Sequence, residues 1–196
     1  MAGVWQFVKL ILRRDRIKLP LWVFGLIAFF ILMVPLLRDV YSTDEGFETI
    51  YQTFNVSSAA VMLTGPMEAP TFGAFMTIET LLWGGMAVVF MNTLFMVRHT
   101  RHNEEIGAQE LLLSGRVSRT SNLVAALLVA FVANLALAIG MGAGLAAVES
   151  SWGAESAWLY GIGMGAFGFA WASLSAVVVQ LVQSGRSANG MLAGIM

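Results

Sequence analysis

The sequence predicts an all-α fold, a polytopic bundle of transmembrane helices with four complete spans and the start of a fifth. The chain of 196 residues is 58% hydrophobic and only 12% charged, and its mean hydropathy is +0.75. A soluble domain of this length cannot bury so much apolar surface in one core. The apolar residues also fall into runs of about 20, the length that crosses a bilayer as a helix.

Four apolar runs are long enough to span a membrane: 19–37, 76–97, 122–148 and 157–183. A fifth run, 188–196, stops in mid-span. The last carbonyl groups of a helix that ends inside lipid have no hydrogen-bond partners. We therefore expect the chain to be the N-terminal part of a longer transmembrane domain.

The basic residues predict the orientation. Ten of the eleven Lys and Arg residues fall before the first span, between the second and third, or after the fourth, and only Arg38 falls on the opposite side. Cytoplasmic loops carry the excess of Lys and Arg. Seven carboxylates share the side of Arg38: Asp39, Asp44, Glu45, Glu48, Glu68, Glu149 and Glu155. We expect a multi-pass protein of the cell (plasma) membrane with a cytoplasmic N-terminus.

The N-terminal segment 1–18 is typical of a basic amphipathic helix. Its apolar residues at helical spacing are Val4, Phe7, Val8 and Ile11. Such a helix lies in the headgroup plane, although the segment also fits an ordinary charged flank of the first span. The run 19–37 is too long for a signal peptide and no small-residue cleavage site follows it, so we expect an uncleaved span.

The segment 38–75 is too long for a simple connector between the first two spans. Thr43 and Asp44 are typical of a helix start, and four apolar side chains then fall on one face. They are Phe47, Ile50, Tyr51 and Phe54. We expect a short helix on the outer leaflet, followed by a turn at Gly65.

The third and fourth spans are predicted to form an antiparallel hairpin, because only about eight residues join them. Gly140 and Gly144 lie near the outer end of the third span, and Gly161 and Gly165 near the outer end of the fourth. Small residues four apart let helix backbones approach closely in lipid. We expect the two pairs to pack on each other.

The charged segment 98–121, between the second and third spans, predicts a cytoplasmic helix over 104–114. Asn103 is a good N-cap, the two acids after it suit the first turn, and Gly115 is placed as a C-terminal stop. The apolar residues form two narrow stripes rather than one broad face, which suits a helix held on more than one side. Periodicity alone leaves an ordinary charged loop helix equally open.

The residues 104–119, EEIGAQELLLSGRVSR, resemble the E-E-x-G-x-x-E-L-L-x-x-x-x-x-x-R segment of ABC-2-type exporter permeases. The bacterial branch that exports polyketide-like antibiotics is particularly similar. In that family the segment is the coupling helix, which docks into a groove on the ATPase subunit. The resemblance implies that an ATPase is contacted by Glu104, Glu105, Gly107, Glu110, Leu111, Leu112 and Arg116. It extends more loosely to the N-terminus, the outer segment and the glycine-rich spans.

The function implied by this resemblance is export of a hydrophobic or amphipathic small molecule, antibiotic or drug-like. ATP would be bound and hydrolysed by a separate subunit, so the chain itself is expected to be no enzyme and to bind no cofactor or nucleic acid. The residues agree, because there is no Walker-type phosphate loop and no cysteine for thiol chemistry. The alternative is a non-transporting scaffold or immunity-type protein that docks a soluble partner through 104–114.

A metal site is conceivable at His99 and His102, which stand beside two carboxylates. Arg98 and Arg101 would repel a cation there, so we expect solvated, interfacial histidines. With only two histidines, an intramembrane hydrolase lacks its parts.

Glu79 lies near the outer end of the second span, where both a functional role and simple solvation remain open. Other polar residues within the spans either bond across helices or line a path. They are Asn92, Asn134, Ser173, Ser175 and Gln180.

Overall fold

The computed structural model describes residues 3–40, 44–100, 120–148, 153–182 and 185–195. The described part is all-helical, which confirms the predicted fold class. Its eight helices are α1 (Val4–Arg14), α2 (Lys18–Val40), α3 (Asp44–Val56), α4 (Ser58–Thr64), α5 (Phe72–His99), α6 (Thr120–Val148), α7 (Gly153–Leu181) and α8 (Gly185–Ile195). Four of them, α2, α5, α6 and α7, are long and apolar enough to cross a membrane.

Each of the four long helices begins before the predicted apolar run. Helix α5 begins four residues before 76, because the Thr71 hydroxyl accepts a hydrogen bond from the Ala74 backbone N–H at 3.3 Å and caps the helix there. Hydropathy marks the part of a helix that suits lipid, whereas capping groups mark where the helix starts and stops.

Helices α6 and α7 form an antiparallel hairpin with the most extensive packing in the described bundle. Helix α5 packs against α7, α2 packs against α6, and α8 packs against α5 and α7. Helix α5 is the central one: 61% of its most apolar stretch is buried, compared with 22% for α2. The ends of α5 are therefore well placed to contact several other helices.

The apolar face of α1 packs against protein, and the expected position of this helix in the headgroup plane stays a prediction. Phe7, Val8 and Ile11 are buried in a cluster that includes Ala125 and Val129 of α6. The predicted helix is present, but protein covers these three side chains. An amphipathic pattern indicates that one face of a helix contacts apolar groups, but it does not indicate whether these belong to lipid or to protein. The opposite face of α1 is exposed and carries basic side chains.

The predicted helix after Asp44 is present as α3, and Phe47 anchors it. The Phe47 ring lies 5.9 Å, centroid to centroid, from both Phe72 and Phe75 of α5. The Asn55 side chain then clamps the chain beyond α4, because it donates to the Met67 carbonyl at 3.0 Å and accepts from the Met67 N–H at 2.9 Å. We call this end of the bundle the α3 end.

The two α7 glycines lie directly against the α6 backbone. A Cβ on Gly161 would come 2.5 Å from the Ala138 carbonyl oxygen and 2.6 Å from the Gly142 nitrogen. A Cβ on Gly165 would come 2.7 Å from both the Ala138 Cβ and the Asn134 carbonyl oxygen. Glycine at these positions is what lets the two helix backbones approach so closely.

The two α6 glycines face a different helix, which corrects the expected glycine-on-glycine contact. A Cβ on Gly140 would meet the Ile27 side chain, and one on Gly144 would meet the Ile31 side chain, both on α2. The spacing of four residues puts each pair on one face of its helix, but spacing alone does not say which neighbour that face meets.

Candidate functional site

The predicted ATPase-docking residues lie outside the residues that the structure describes, so their role stays a prediction. They are Glu104, Glu105, Gly107, Glu110, Leu111, Leu112 and Arg116. The structure does describe the two helix ends that this segment joins, Thr100 after α5 and Thr120 at the start of α6. A buried polar cluster lies at these ends.

Asp15 is the centre of that cluster, and only 2% of it is exposed. Its Oδ1 accepts a hydrogen bond from Arg98 Nη1 at 2.6 Å, and its Oδ2 lies 2.7 Å from His99 Nε2. A carboxylate can only accept, so His99 Nε2 is the donor in that contact. Both carboxylate oxygens thus have partners, which offsets the cost of burying the charge.

Asp15 also forms the corner between α1 and α2. Its backbone N–H donates to the Ile11 carbonyl at 2.9 Å and so ends α1, while its own carbonyl accepts from the Leu19 N–H at 3.0 Å in the first turn of α2. One residue therefore sets the corner between two helices and bonds to the end of a third.

Asn122 adds α6 to this group. Its buried side-chain amide donates to the His99 backbone carbonyl at 2.8 Å, and the Thr100 hydroxyl donates to the Met96 carbonyl at 2.6 Å. The terminal carbonyls of a helix lack intrahelical partners. Asn122 supplies one for the His99 carbonyl, whereas the Met96 carbonyl also accepts from the Thr100 backbone N–H at 3.1 Å. We call Asp15, Arg98, His99 and Asn122 the Asp15 junction; it joins α1, α2, α5 and α6.

The expectation that His99 is solvated is wrong. Its side chain is 1% exposed and packs against the Phe95 ring at a centroid distance of 4.7 Å. The expectation considered only charges nearby in sequence, whereas the partner of His99 lies 84 positions away. Among the described residues, no group of three or more acids and histidines is placed to hold a metal ion, and His102 lies outside them.

Sequence reasoning missed Asp15. The available signal was a single acid among five basic residues in the segment 1–18. Several basic residues lie near this carboxylate in the sequence. The sequence therefore does not show that it pairs with Arg98, 83 positions away. The burial follows from α1 folding back onto the ends of α5 and α6.

Two asparagines form a second buried polar contact, between α5 and α6. Asn92 Nδ2 donates to Asn134 Oδ1 at 3.2 Å, and Asn134 Nδ2 donates to Asn92 Oδ1 at 2.7 Å. Each amide also donates to a carbonyl one turn back in its own helix. The sequence left open whether these residues bond across helices or line a path, and in the structure they bond across helices.

The other polar residues of the spans are arranged differently. The Thr80 and Tyr160 hydroxyls lie 2.7 Å apart and join α5 to α7. Ser173 donates within its own helix, and the buried Ser175 hydroxyl has no partner among the described residues. Glu79 and Gln180 are exposed.

An apolar groove of about 300 Å³ lies between α4, α5, α7 and α8. None of its lining residues is charged. The larger apolar side chains among them are Leu63, Leu81, Leu82, Met86, Val89, Phe167, Trp171 and Ile195. A concave apolar surface with few polar groups is the usual form of a small-molecule site. The groove can therefore accept an apolar ligand, although it is small for a drug-sized one.

A second cavity of about 460 Å³ lies at the α3 end. It is more polar, since Glu68, Thr71, Thr77 and Ser156 contribute to its lining together with Tyr160. The apolar groove and this polar cavity both border α5, the central helix.

Comparison with known proteins gives a match that covers most of the helical bundle. The family model of the multidrug efflux system permease Rv1217c, C-terminal domain, matches residues 6–181, from within α1 to the end of α7. The chain is also 31% identical over 194 residues to the multidrug efflux system permease protein Rv1217c of Mycobacterium tuberculosis (strain ATCC 25618 / H37Rv).

That alignment covers 94% of this chain and 33% of the relative, so the chain spans about a third of the relative's length. The four candidate membrane spans, the Asp15 junction and the asparagine pair all fall within the residues that the family model matches. The chain therefore belongs to the family of the C-terminal domain of the multidrug efflux system permease Rv1217c.

Proposed function

We propose that the chain is the membrane-spanning part of an ABC-2-type exporter of the antibiotic-exporting branch. In this proposal a separate ATPase subunit hydrolyses ATP, and the bundle moves a hydrophobic or amphipathic small molecule out of the cell. The observation that carries the proposal is the family match over residues 6–181, since the matched family is that of a multidrug efflux permease.

The described bundle is compatible with that role in two respects. It has four helices that can span a membrane, and its groove beside α5 and α7 is lined by uncharged residues. An uncharged lining suits an apolar substrate, because no charged group loses its hydration when the substrate binds.

The proposed partner is an ABC ATPase subunit that contacts the helix predicted over 104–114. In this mechanism ATP binding and hydrolysis move the docked helix, and the bundle alternates between inward-facing and outward-facing states. The acids Glu104, Glu105 and Glu110 would pair with basic groups on the ATPase, and Gly107 would allow close backbone approach.

The proposed location is the cell membrane, with the N-terminus and the docking segment in the cytoplasm, where the ATPase and its ATP are found. The distribution of basic residues supports this orientation. In this orientation the Asp15 junction lies at the cytoplasmic face, and the α3 end faces outward.

The proposal is tested by Glu105→Arg and Leu112→Asp in the full-length protein. Each change removes a predicted docking contact without touching a span, so we expect normal membrane insertion together with loss of ATPase co-purification and of dye efflux from loaded cells. The matched control is Glu155→Arg, the same charge reversal at an exposed site on the other end of the bundle. Normal co-purification and efflux in both docking variants would refute the coupling assignment.

The same experiment separates the exporter from a non-transporting scaffold. A scaffold would lose partner binding in the Glu105→Arg variant, but the wild-type protein would not change dye retention. An exporter lowers dye retention in the wild type and loses that effect in the variant.

A further inference from the structure

We propose that Asp15 is a positioning residue. It makes the two helix ends that flank the docking segment between α5 and α6 move together with α1 and α2. The inference rests on the proposed function, because it assigns a role in coupling to a cluster outside the predicted ATPase contact. Its physical basis lies entirely in described residues.

The first step is where the bonds lie. The segment between α5 and α6 leaves α5 after His99 and Thr100 and enters α6 at Thr120. The side chains of Arg98 and His99 at the end of α5 both bind Asp15. Asn122, in the first turn of α6, binds the His99 carbonyl. The end of α5 and the start of α6 are therefore hydrogen-bonded to one another, and the end of α5 is also bonded directly to Asp15.

The second step is what Asp15 connects them to. Its backbone ends α1 and pairs with the first turn of α2. A displacement of the docking segment would thus pass to α1 and the first span as well as to α5 and α6. Helix α2 also packs against α5 and α6 along its length, and Asp15 adds a hydrogen-bonded link at its N-terminal end.

The third step is the strength of the link. Asp15 is nine-tenths buried or more, as is His99, while Arg98 keeps about a quarter of its side chain exposed. Charge-assisted hydrogen bonds in a buried setting are stronger and less screened than those at a surface. Loss of the carboxylate charge would weaken both of its bonds at once.

The test replaces Asp15 by Asn in the full-length protein. We expect ATPase co-purification to persist, whereas dye efflux and substrate-stimulated ATP hydrolysis fall by about tenfold. A purely structural role would lower the amount of folded protein and all activities in proportion. The matched control is Arg13→Gln, which removes an exposed charge from the same helix and should leave the coupled activity unchanged.

A second measurement does not depend on the ATPase. The chain has no cysteine, so spin labels can be placed on Lys9→Cys in α1 and Ala147→Cys in α6, both exposed sites. We expect a narrow distance distribution in the parent protein and a clearly broader one with Asp15→Asn. An unchanged distribution, unchanged efflux, or efflux lost only in step with ATPase binding would overturn the proposal.

A further variant covers the case in which Asp15→Asn fails to fold because Arg98 is left unpaired. The double variant Asp15→Asn with Arg98→Gln removes both charges, which is far better tolerated than one unpaired buried charge. It should insert normally and show the same broad distribution. If the wild-type protein binds no ATPase, the proposed function fails, but the distance measurement still decides whether Asp15 positions these helices.

Discussion

At the scale of single residues, the asparagine pair illustrates how a polar group is accommodated inside an apolar bundle. Asn92 and Asn134 exchange two hydrogen bonds, so each buried amide satisfies the other. Gly168 of α7 covers the pair at such close range that a Cβ there would collide with Asn134 Oδ1 and lie 2.8 Å from Val88 Cγ1. The contact therefore fixes the register of α5 on α6 and requires a glycine on the third helix.

A double-mutant cycle with Asn92→Ala and Asn134→Ala tests this pair. We expect a coupling free energy of about 0.5–2 kcal/mol, because interhelical hydrogen bonds in membrane proteins fall in that range. Unfolding in mixed micelles measures it. The control cycle pairs Asn92→Ala with Ser173→Ala, whose hydroxyl bonds only within its own helix; additive effects are expected there. Additivity in the asparagine cycle as well would rule out an energetically coupled pair.

At the scale of helices, the close contact between α6 and α7 depends on backbone atoms on both sides. Gly161 approaches the Ala138 carbonyl and the Gly142 nitrogen, which cannot move without shifting the helix. Gly140, on the other face of α6, approaches only side-chain atoms of Ile27, of which Cδ1 is the nearest. The same residue type thus has different structural importance at the two positions.

We expect Gly161→Ala to destabilise the bundle by about 1–3 kcal/mol, the usual cost of overpacking. Gly140→Ala should cost clearly less, since the Ile27 side chain can change rotamer. The neutral control is Gly163→Ala, where an added Cβ would meet nothing within 4 Å. Thermal unfolding of the three purified variants ranks them, and an equal loss at positions 140 and 161 would contradict the packing described.

At the scale of the whole molecule, the described bundle has two different ends. The Asp15 junction and the basic face of α1 lie at one end, while α3, α4 and the polar cavity lie at the other. The helices between them are apolar over a length that fits a bilayer.

Thiol labelling tests the proposed orientation directly, because an introduced cysteine is unique in this chain. A membrane-impermeant maleimide should label Ser58→Cys, an exposed site at the α3 end, in intact cells. Lys9→Cys, exposed on α1, should react only after permeabilisation, because the N-terminus is expected in the cytoplasm. Labelling in the reverse order would invert the proposed topology.

The four spans were predictable from this sequence because lipid imposes a length and a composition on each of them. The α3 helix was predictable as well, since its four apolar residues fall on one face. Neither the partner of Asp15 nor the face met by Gly140 was predictable, because both depend on contacts between distant parts of the chain. Asn92 and Asn134 were identified as polar residues within spans, but their distance apart in sequence concealed that they form a pair.

The clamp that Asn55 forms around Met67 has a consequence for loop entropy. It closes a loop across 12 positions, with α4 inside, and does so with two hydrogen bonds in a chain that has no cysteine. Unlike a disulfide, it places no restraint on the unfolded chain. The closure cost of a flexible loop grows by only about 0.6 kcal/mol for each doubling of its length. The segment between Asn55 and Met67 contains helix α4, so it is stiffer than such a loop and its length is set mainly by that helix.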